Sequence, residues 1–330
     1  MNIPAVLVTG AAGFIGSSLV DALLAAGHDV VGLDNFDGFY AATVKRENLR
    51  GANEHSRFRL HEIDIRDGSA VAEACRRHRP QLVVHLAAKA GIRPSFEATE
   101  VYRDVNVTGT ANVLDACARA GVGHVIFASS SSVYGDSRSL PFRETEPCGK
   151  PLSPYAETKA AAEGVCAAHV TVTGMPVTCL RLFTVYGPRQ RPDLAIHRFL
   201  RAIDAGEPIT MFGDGSSKRD YTFIDDVVMG ILAAAGRPAG FRVLNIGCGC
   251  PVTLADTVRT IERALGTPAR IERLPPQRGD LDQTWADITA AARDLGFSTR
   301  VSFAEGIGRF VEWWRARGRE WHSACAASSD

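Results

Sequence analysis

The sequence predicts an α/β fold: a doubly wound parallel sheet with a smaller C-terminal α/β lobe. Two observations predict it. Short apolar runs rich in Val, Ile and Leu alternate with amphipathic stretches, and the runs lack the in–out alternation of half-exposed strands. They lie at 5–10, 30–34, 81–87, 124–129, 177–182 and 243–247. Strands buried on both faces read this way. Repeated strand–helix–strand order then gives a parallel sheet covered by helices on both faces, joined by right-handed crossovers.

Each element has its own signal. The first strand, AVLVTG, runs into Gly10-Ala11-Ala12-Gly13-Phe14-Ile15-Gly16, where a helix over 14–26 begins. Gly10 can make the tight turn, Gly13 lets a pyrophosphate approach the backbone, and Gly16 lets the helix pack against the strand. The helix N-terminus adds free N–H groups and a positive dipole end. The second strand ends in Asp34, followed by Asn35 and Phe36 rather than by an arginine. A carboxylate there accepts hydrogen bonds from a ribose diol and repels a 2′-phosphate. This spacing predicts a Rossmann site for NAD rather than NADP. Asp64 ends a third strand, where it either reaches the adenine or caps the next helix. Helices are expected at 69–78, 101–119 and 155–172.

Past residue 176 the rhythm loosens, and Pro and Gly cluster at 187–192 and 206–215. The chain is therefore expected to divide there. Residues 1–176 would bind the dinucleotide, regaining parts of 219–248, and 177–330 would mainly form the substrate lobe. Two more helices are expected at 253–265 and 303–316, the second carrying Trp313 and Trp314 as packing residues.

Composition narrows the class. At 330 residues the chain has room for about two domains. Lys+Arg and Asp+Glu both number 37, which excludes a general nucleic-acid or membrane-surface binder. No apolar run approaches the roughly 18 residues of a membrane span. The opening MNIPAVLVTG lacks the basic segment of a signal peptide. A cytoplasmic protein is expected, without nucleic-acid or membrane partners. The eight cysteines show no C-x-x-C spacing and no neighbouring His pair, so they read as buried reduced thiols, with no metal.

The chemistry gathers downstream of the strand at 124–129. That strand ends in Ser129-Ser130-Ser131-Ser132, and a later helix opens with Tyr155-Ala-Glu-Thr-Lys159. Tyr155 and Lys159 are i and i+4 and share one helix face. An ammonium beside a phenol lowers the phenol's pKa, so Tyr155 is expected to act as general base near neutral pH. Ser130 would hold the same substrate oxygen.

These motifs in this order, with HLAAKAG (85–91), RLFTVYGPRQRPD (181–193) and KRDYTFIDD (218–226), resemble the extended short-chain dehydrogenase/reductase family of nucleotide-sugar epimerases and dehydratases. GLDNFDGFY (32–40), AGIRPS (90–95) and RPDLA (191–195) are most similar to members that convert UDP-glucuronate to UDP-galacturonate at carbon 4. The resemblance implies a tightly held NAD that takes a hydride from carbon 4 and returns it to the other face of the 4-keto sugar. It implies a cofactor site made of Gly10, Gly13, Phe14, Ile15, Gly16, Asp34, Asn35, Asp64, Ile65, Leu86, Ala87, Ala88, Lys89, Asn106, Tyr155 and Lys159. The substrate site would add Arg93, Ser130, Ser131, Ser132, Thr184, Arg191, Arg219 and Arg278.

Dehydratases of the family carry an Asp-Glu pair where this chain has Ser131 and Ser132, and decarboxylating members carry Glu at the position of Ser132. Neither reaction has its acid here, which leaves epimerisation. Arg191 either meets the uronate carboxylate, which would restrain decarboxylation of the β-keto acid intermediate, or pairs with Asp193 or the pyrophosphate. Gln277 and Arg278 replace the family's usual Gln-Pro, so either one could face the nucleotide. Lys89 stands where relatives more often have Gln. The helices at 101–119 and 155–172 could build the homodimer common in the family, or pack within one chain.

Overall fold

The structure, a computed structural model, describes residues 5–275 and 281–318. Seven strands form the main sheet: β1 (Ala5–Thr9), β2 (Asp29–Asp34), β3 (Phe58–Glu62), β4 (Leu82–His85), β5 (His124–Ser130), β6 (Val177–Leu182) and β7 (Phe241–Ile246). Their order is β7-β6-β5-β4-β1-β2-β3, and every pairing is parallel. Five helices cover the sheet: α1 (Phe14–Ala25), α2 (Gly68–His78), α3 (Gly109–Ala120), α4 (Pro154–Thr173) and α5 (Ile224–Ala235).

The absence of alternation in the strands now has its cause. Val6 and Val8 of β1 join Val84, Ile126 and Leu180 in one core with Leu19 and Leu23 of α1 and Val227 and Ile231 of α5. Leu7, between those two valines, joins Val83, Val125 and Phe127 in a second core on the other face, with Val71 of α2, Val113 of α3 and Cys166 of α4. Both faces of each central strand are thus buried, which demands apolar residues at every position.

The runs at 177–182 and 243–247 take their places in the sheet: β6 pairs with β5 from Val125↔Val177 to Ser130↔Leu182 and β7 pairs beyond it. One expectation changes. The helix expected over 101–119 is interrupted. A helical turn at Thr99–Arg103 passes into a π-turn at Asp104–Thr108 before α3 begins. Such a turn admits one extra residue per hydrogen-bonded loop and rotates the side chains it carries.

The second lobe is built from short pairs: Thr184–Tyr186 with Tyr221–Phe223, Pro208–Phe212 with Arg270–Leu274, and Lys218–Arg219 with Val252–Thr253. Helices Ala195–Asp204, Leu254–Leu265 and Phe303–Trp313 pack there. Trp314 is buried against His197, and its indole N–H donates to Asp204. No described helix is long and apolar enough to cross a membrane.

Candidate active site

The carboxyl ends of β1, β2, β4, β5 and β6 open into a cavity of about 1230 Å³, closed on its far side by residues of the second lobe. Gly10, at φ 68°, turns the chain out of β1 in a conformation that glycine adopts at no steric cost. A Cβ on Gly10 would lie 2.8 Å from the Ala87 nitrogen, and one on Gly16 would collide with the Gly10 carbonyl. Only bare backbone fits this cradle, and α1 starts from it. These are the requirements of a bound pyrophosphate.

Asp34 lies at the end of β2, buried at the cavity wall. It accepts the Ala12 N–H at 3.0 Å and the Phe36 N–H at 2.8 Å. Lys45, a buried lysine from the helix Ala42–Asn48, stands 3.8 Å from it. Asp64 also lines the cavity. Bonds from Arg66 and Asn35 hold its carboxyl down to about 2. The cradle and the two carboxylates fit a nicotinamide dinucleotide.

The loop after β4 forms the opposite wall, and the π-turn serves it. Asn106 accepts the Lys89 N–H at 2.8 Å and donates to the Lys89 carbonyl at 3.0 Å and to Thr158 Oγ1 at 3.0 Å. Asn106 does not line the cavity. Its polar atoms are taken up by the backbone that Lys89 carries and by α4. The Lys89 ammonium crosses to Asp37 at 2.8 Å. Burial pulls the Asp37 carboxyl upward, but the bond and charge of Lys89 outweigh it and hold that carboxyl below its ordinary value.

Three elements bring the reactive groups together. β5 delivers Ser130 at its end, where a short 3₁₀ turn at Ser131–Tyr134 begins. Ser130 Oγ accepts the Ser132 N–H at 3.2 Å and the Ser132 hydroxyl at 2.9 Å. α4 starts with Ser153 as N-cap and Pro154 in its first turn, a start that favours a helix and places Tyr155 at the cleft. The Ser130 hydroxyl stands beside the Tyr155 phenol, and Lys159 Nζ donates to the Ala128 carbonyl at 2.7 Å.

The titration of Tyr155 departs from expectation. Burial raises the phenol above its ordinary value, opposed by Ser130 and by the Arg191 guanidinium. The Lys159 ammonium donates to the Ala128 carbonyl, and burial brings its own pKa down to about 8.

Arg191 forms two bonds to Asp193, Nε–Oδ1 at 3.0 Å and Nη2–Oδ2 at 2.8 Å, and stacks 5.1 Å over Phe39. Of the readings open for it, the pairing with Asp193 is present. Arg191 nevertheless faces the cavity with Ser131, Ser132 and Thr184. Arg93 lines the same cavity, 5.2 Å over the Phe212 ring, and so does Arg219. Gln277 and Arg278 fall outside the described residues. Sequence reasoning missed Lys45, Asp37 and Phe39. Asp37 and Phe39 lie inside the segment GLDNFDGFY (32–40), and Lys45 has only its position within a dozen residues of Asp34 as a signal. No group of three or more His, Cys, Asp or Glu among the described residues could hold a metal.

Comparison with known proteins follows the same lines. Residues 6–247 match the NAD dependent epimerase/dehydratase family. A UDP-glucuronate 4-epimerase of Thermodesulfobacterium geofontis is 39% identical over 308 residues, covering 93% of this chain and 95% of that protein. The structure is similar to that of a UDP-glucuronic acid 4-epimerase from Bacillus cereus in complex with UDP-glucuronic acid and NAD. The TM-score is 0.89 at 37% identity, covering 94% of this chain and 99% of that one. A UDP-glucose 4-epimerase from Thermotoga maritima with UDP-glucose gives a TM-score of 0.88 at 33% identity, covering 94% and 99%.

Proposed function

The chain belongs to the NAD dependent epimerase/dehydratase family, and we propose that within it the protein is a UDP-glucuronate 4-epimerase. One observation carries the choice of substrate. Arg191 and the hydroxyls of Ser131, Ser132 and Thr184 face the cavity that holds Tyr155, with no carboxylic acid at positions 131 and 132.

The residues divide the work as follows. Gly10, Gly13 and Gly16 take the pyrophosphate of NAD, and Asp34 takes its adenosine ribose. Held there, NAD would supply a reversible hydride acceptor for carbon 4 of the sugar. Tyr155 removes the proton of the 4-hydroxyl and later returns it. Ser130 holds the same oxygen in line. Lys159 keeps N–H groups for the nicotinamide ribose, and its charge in the buried site favours the phenolate at longer range. Arg191 with the serine and threonine hydroxyls fixes the carboxylate. A β-keto acid loses carbon dioxide only when the breaking bond aligns with the carbonyl π system, so a fixed carboxylate is protected. Arg93 and Arg219 supply cations for the substrate phosphates. We place the cofactor on the seven-stranded sheet and the UDP-sugar mainly on the lobe beyond it.

The protein would act as a homodimer in the cytoplasm. Val101 and Val172, both exposed on the helical segments expected to pair, support the dimer. A second reading has its own support: with Asp193 on its fork, Arg191 could leave a neutral sugar untouched, as in a UDP-glucose 4-epimerase.

An NMR time course of the purified protein with UDP-glucuronate, and with UDP-glucose in parallel, decides between them. UDP-galacturonate with its carboxyl retained is the expected product. Turnover of UDP-glucose alone would select the second reading. A UDP-pentose would mean that the carboxylate is not protected.

A further inference from the structure

Helix α4 meets strand β5 in three successive contacts, of which the reaction uses two. Ser130 stands beside Tyr155, the Ala128 carbonyl accepts from Lys159, and between them the Ser129 hydroxyl donates to Glu163 Oε1 at 2.5 Å. Tyr155, Lys159 and Glu163 are spaced i, i+4 and i+8, on one face of the helix. Glu163 is buried and carries a second load. Arg181 of β6 grips its carboxylate through Nε at 3.0 Å and Nη2 at 2.8 Å. Arg181 is itself buried, packs 4.7 Å over the Tyr134 ring, and is the register partner of Ser129 across the β5–β6 ladder. One carboxylate therefore ties the helix to both strands at the catalytic end of the sheet.

We propose that Glu163, held by Arg181 and Ser129, is a positioning residue for the reaction, setting the seat of Lys159 and the distance between Tyr155 and Ser130. A buried ion pair is a poor source of net stability, since desolvation of both charges offsets their attraction. A site that needs a helix and a strand in fixed register has a use for such a pair. The charge also acts on Lys159. Facing that ammonium are Cys166 and Glu163 from its own helix, Cys179 from β6 and His85 from β4. Burial pulls the ammonium down to about 8; Cys166, Glu163 and Cys179 oppose that fall, and Glu163 is the carboxylate among them.

The inference rests on the epimerase reading, so its test needs a readout that does not depend on turnover. Glu163→Gln keeps the shape and removes the charge. In the NAD-loaded variant the midpoint of Lys159, followed by NMR of ¹³Cε-labelled lysine, falls by about one pH unit. The alkaline limb of kcat moves down with it, kcat drops about tenfold, and KM for UDP-glucuronate stays within about twofold. Should Glu163→Gln not fold, the double variant Glu163→Met, Arg181→Met removes both charges together, a replacement that buried pairs commonly tolerate. It should show a smaller fall in the Lys159 midpoint, because the Arg181 cation leaves together with the carboxylate. A folded variant with native Lys159 midpoint and native pH profile, altered only in melting temperature, would overturn the proposal. Wild-type protein inert toward UDP-glucuronate would instead overturn the epimerase reading, and the lysine titration would still judge the positioning role.

Discussion

Arg191 and Asp193 are joined through two parallel bonds, 3.0 Å and 2.8 Å long, at the wall of the cavity that holds the Tyr155 phenol. The pair commits two of the five N–H groups of the guanidinium and leaves the others for an incoming anion. Burial lowers the affinity of Arg191 for its proton, but Asp193 more than offsets that, so the cation persists. A charge-assisted bond to a carboxylate is worth about 2 kcal/mol, or roughly thirtyfold in rate. Arg191→Ala should therefore lower kcat/KM for UDP-glucuronate about thirtyfold, and residual turnover of UDP-glucose by threefold at most. Initial rates with the two sugars measure this. Equal losses would assign Arg191 to phosphate binding.

Tyr155→Phe removes the hydroxyl assigned to exchange the 4-hydroxyl proton and keeps the ring that packs edge-on to Tyr102. General-base loss costs about a thousandfold in turnover. The variant should retain its NAD, because the cradle and Asp34 lie on other elements. Absorbance of cofactor released on denaturation, together with epimerisation rate, tests both halves. A variant turning over at the native rate would remove Tyr155 from its role.

Gly16→Ala probes the cradle itself. The new Cβ meets the Gly10 carbonyl, which is backbone and cannot swing aside. Overpacking of this kind costs about 3 kcal/mol, and relief requires α1 to move away from β1. Protein purified with this change should carry little or no NAD and melt several degrees lower. Native cofactor content would show that the loop is looser than its geometry implies.

How far the sequence reveals all this depends on the range of each interaction. The six apolar runs lie on main-sheet strands because burial on two faces writes a continuous signal. β3 is weaker: it is an edge strand, and of its five residues only Phe58 is fully buried, which leaves FRLHE with little apolar pattern. The helix Ala195–Asp204 escapes because Pro and Gly clusters on either side suggest loop. Gly10, Asp34, Tyr155 and Lys159 are legible because their chemistry depends on local spacing. Glu163 is half legible, since it continues the i+4 series, but Arg181 comes from another strand and no spacing announces it. Asn106 is only partly legible for the same reason. Its role in bracing Lys89 depends on a π-turn that periodicity does not reveal. The seat of the Lys159 ammonium on the Ala128 carbonyl is not legible, because spacing fixes the face of a helix but not where an ammonium bonds.

Two buried histidines give the fold a pH dependence whose sign can be worked out. Thr9 Oγ1 accepts from the Ala87 N–H and meets His85 Nδ1 at 2.7 Å. Thr110 donates to the Asn106 carbonyl and meets His85 Nε2 at 3.1 Å. These partners suit a neutral ring protonated on Nε2, and a second proton on Nδ1 would displace the bond that Thr9 donates to it. Burial, with the Lys159 charge nearby, lowers His85 to about 3, and burial lowers His124 to about 4. Both folded values lie below the unfolded value of about 6.5. Above that pH neither state is protonated and their contribution is complete. As pH falls below about 6.5 the unfolded chain gains protons that the fold refuses, so stability declines until the folded values are reached. Between pH 6.5 and 5 the two rings together should cost about 3 kcal/mol. Carboxylates held low, such as Asp64 at about 2, add their loss only below the ordinary carboxylate range. Urea unfolding at pH 7 and pH 5 should thus show a clear drop in midpoint, roughly halved in His124→Gln. An equal midpoint at both pH values would mean that these rings take up protons in the folded protein as freely as in the unfolded chain.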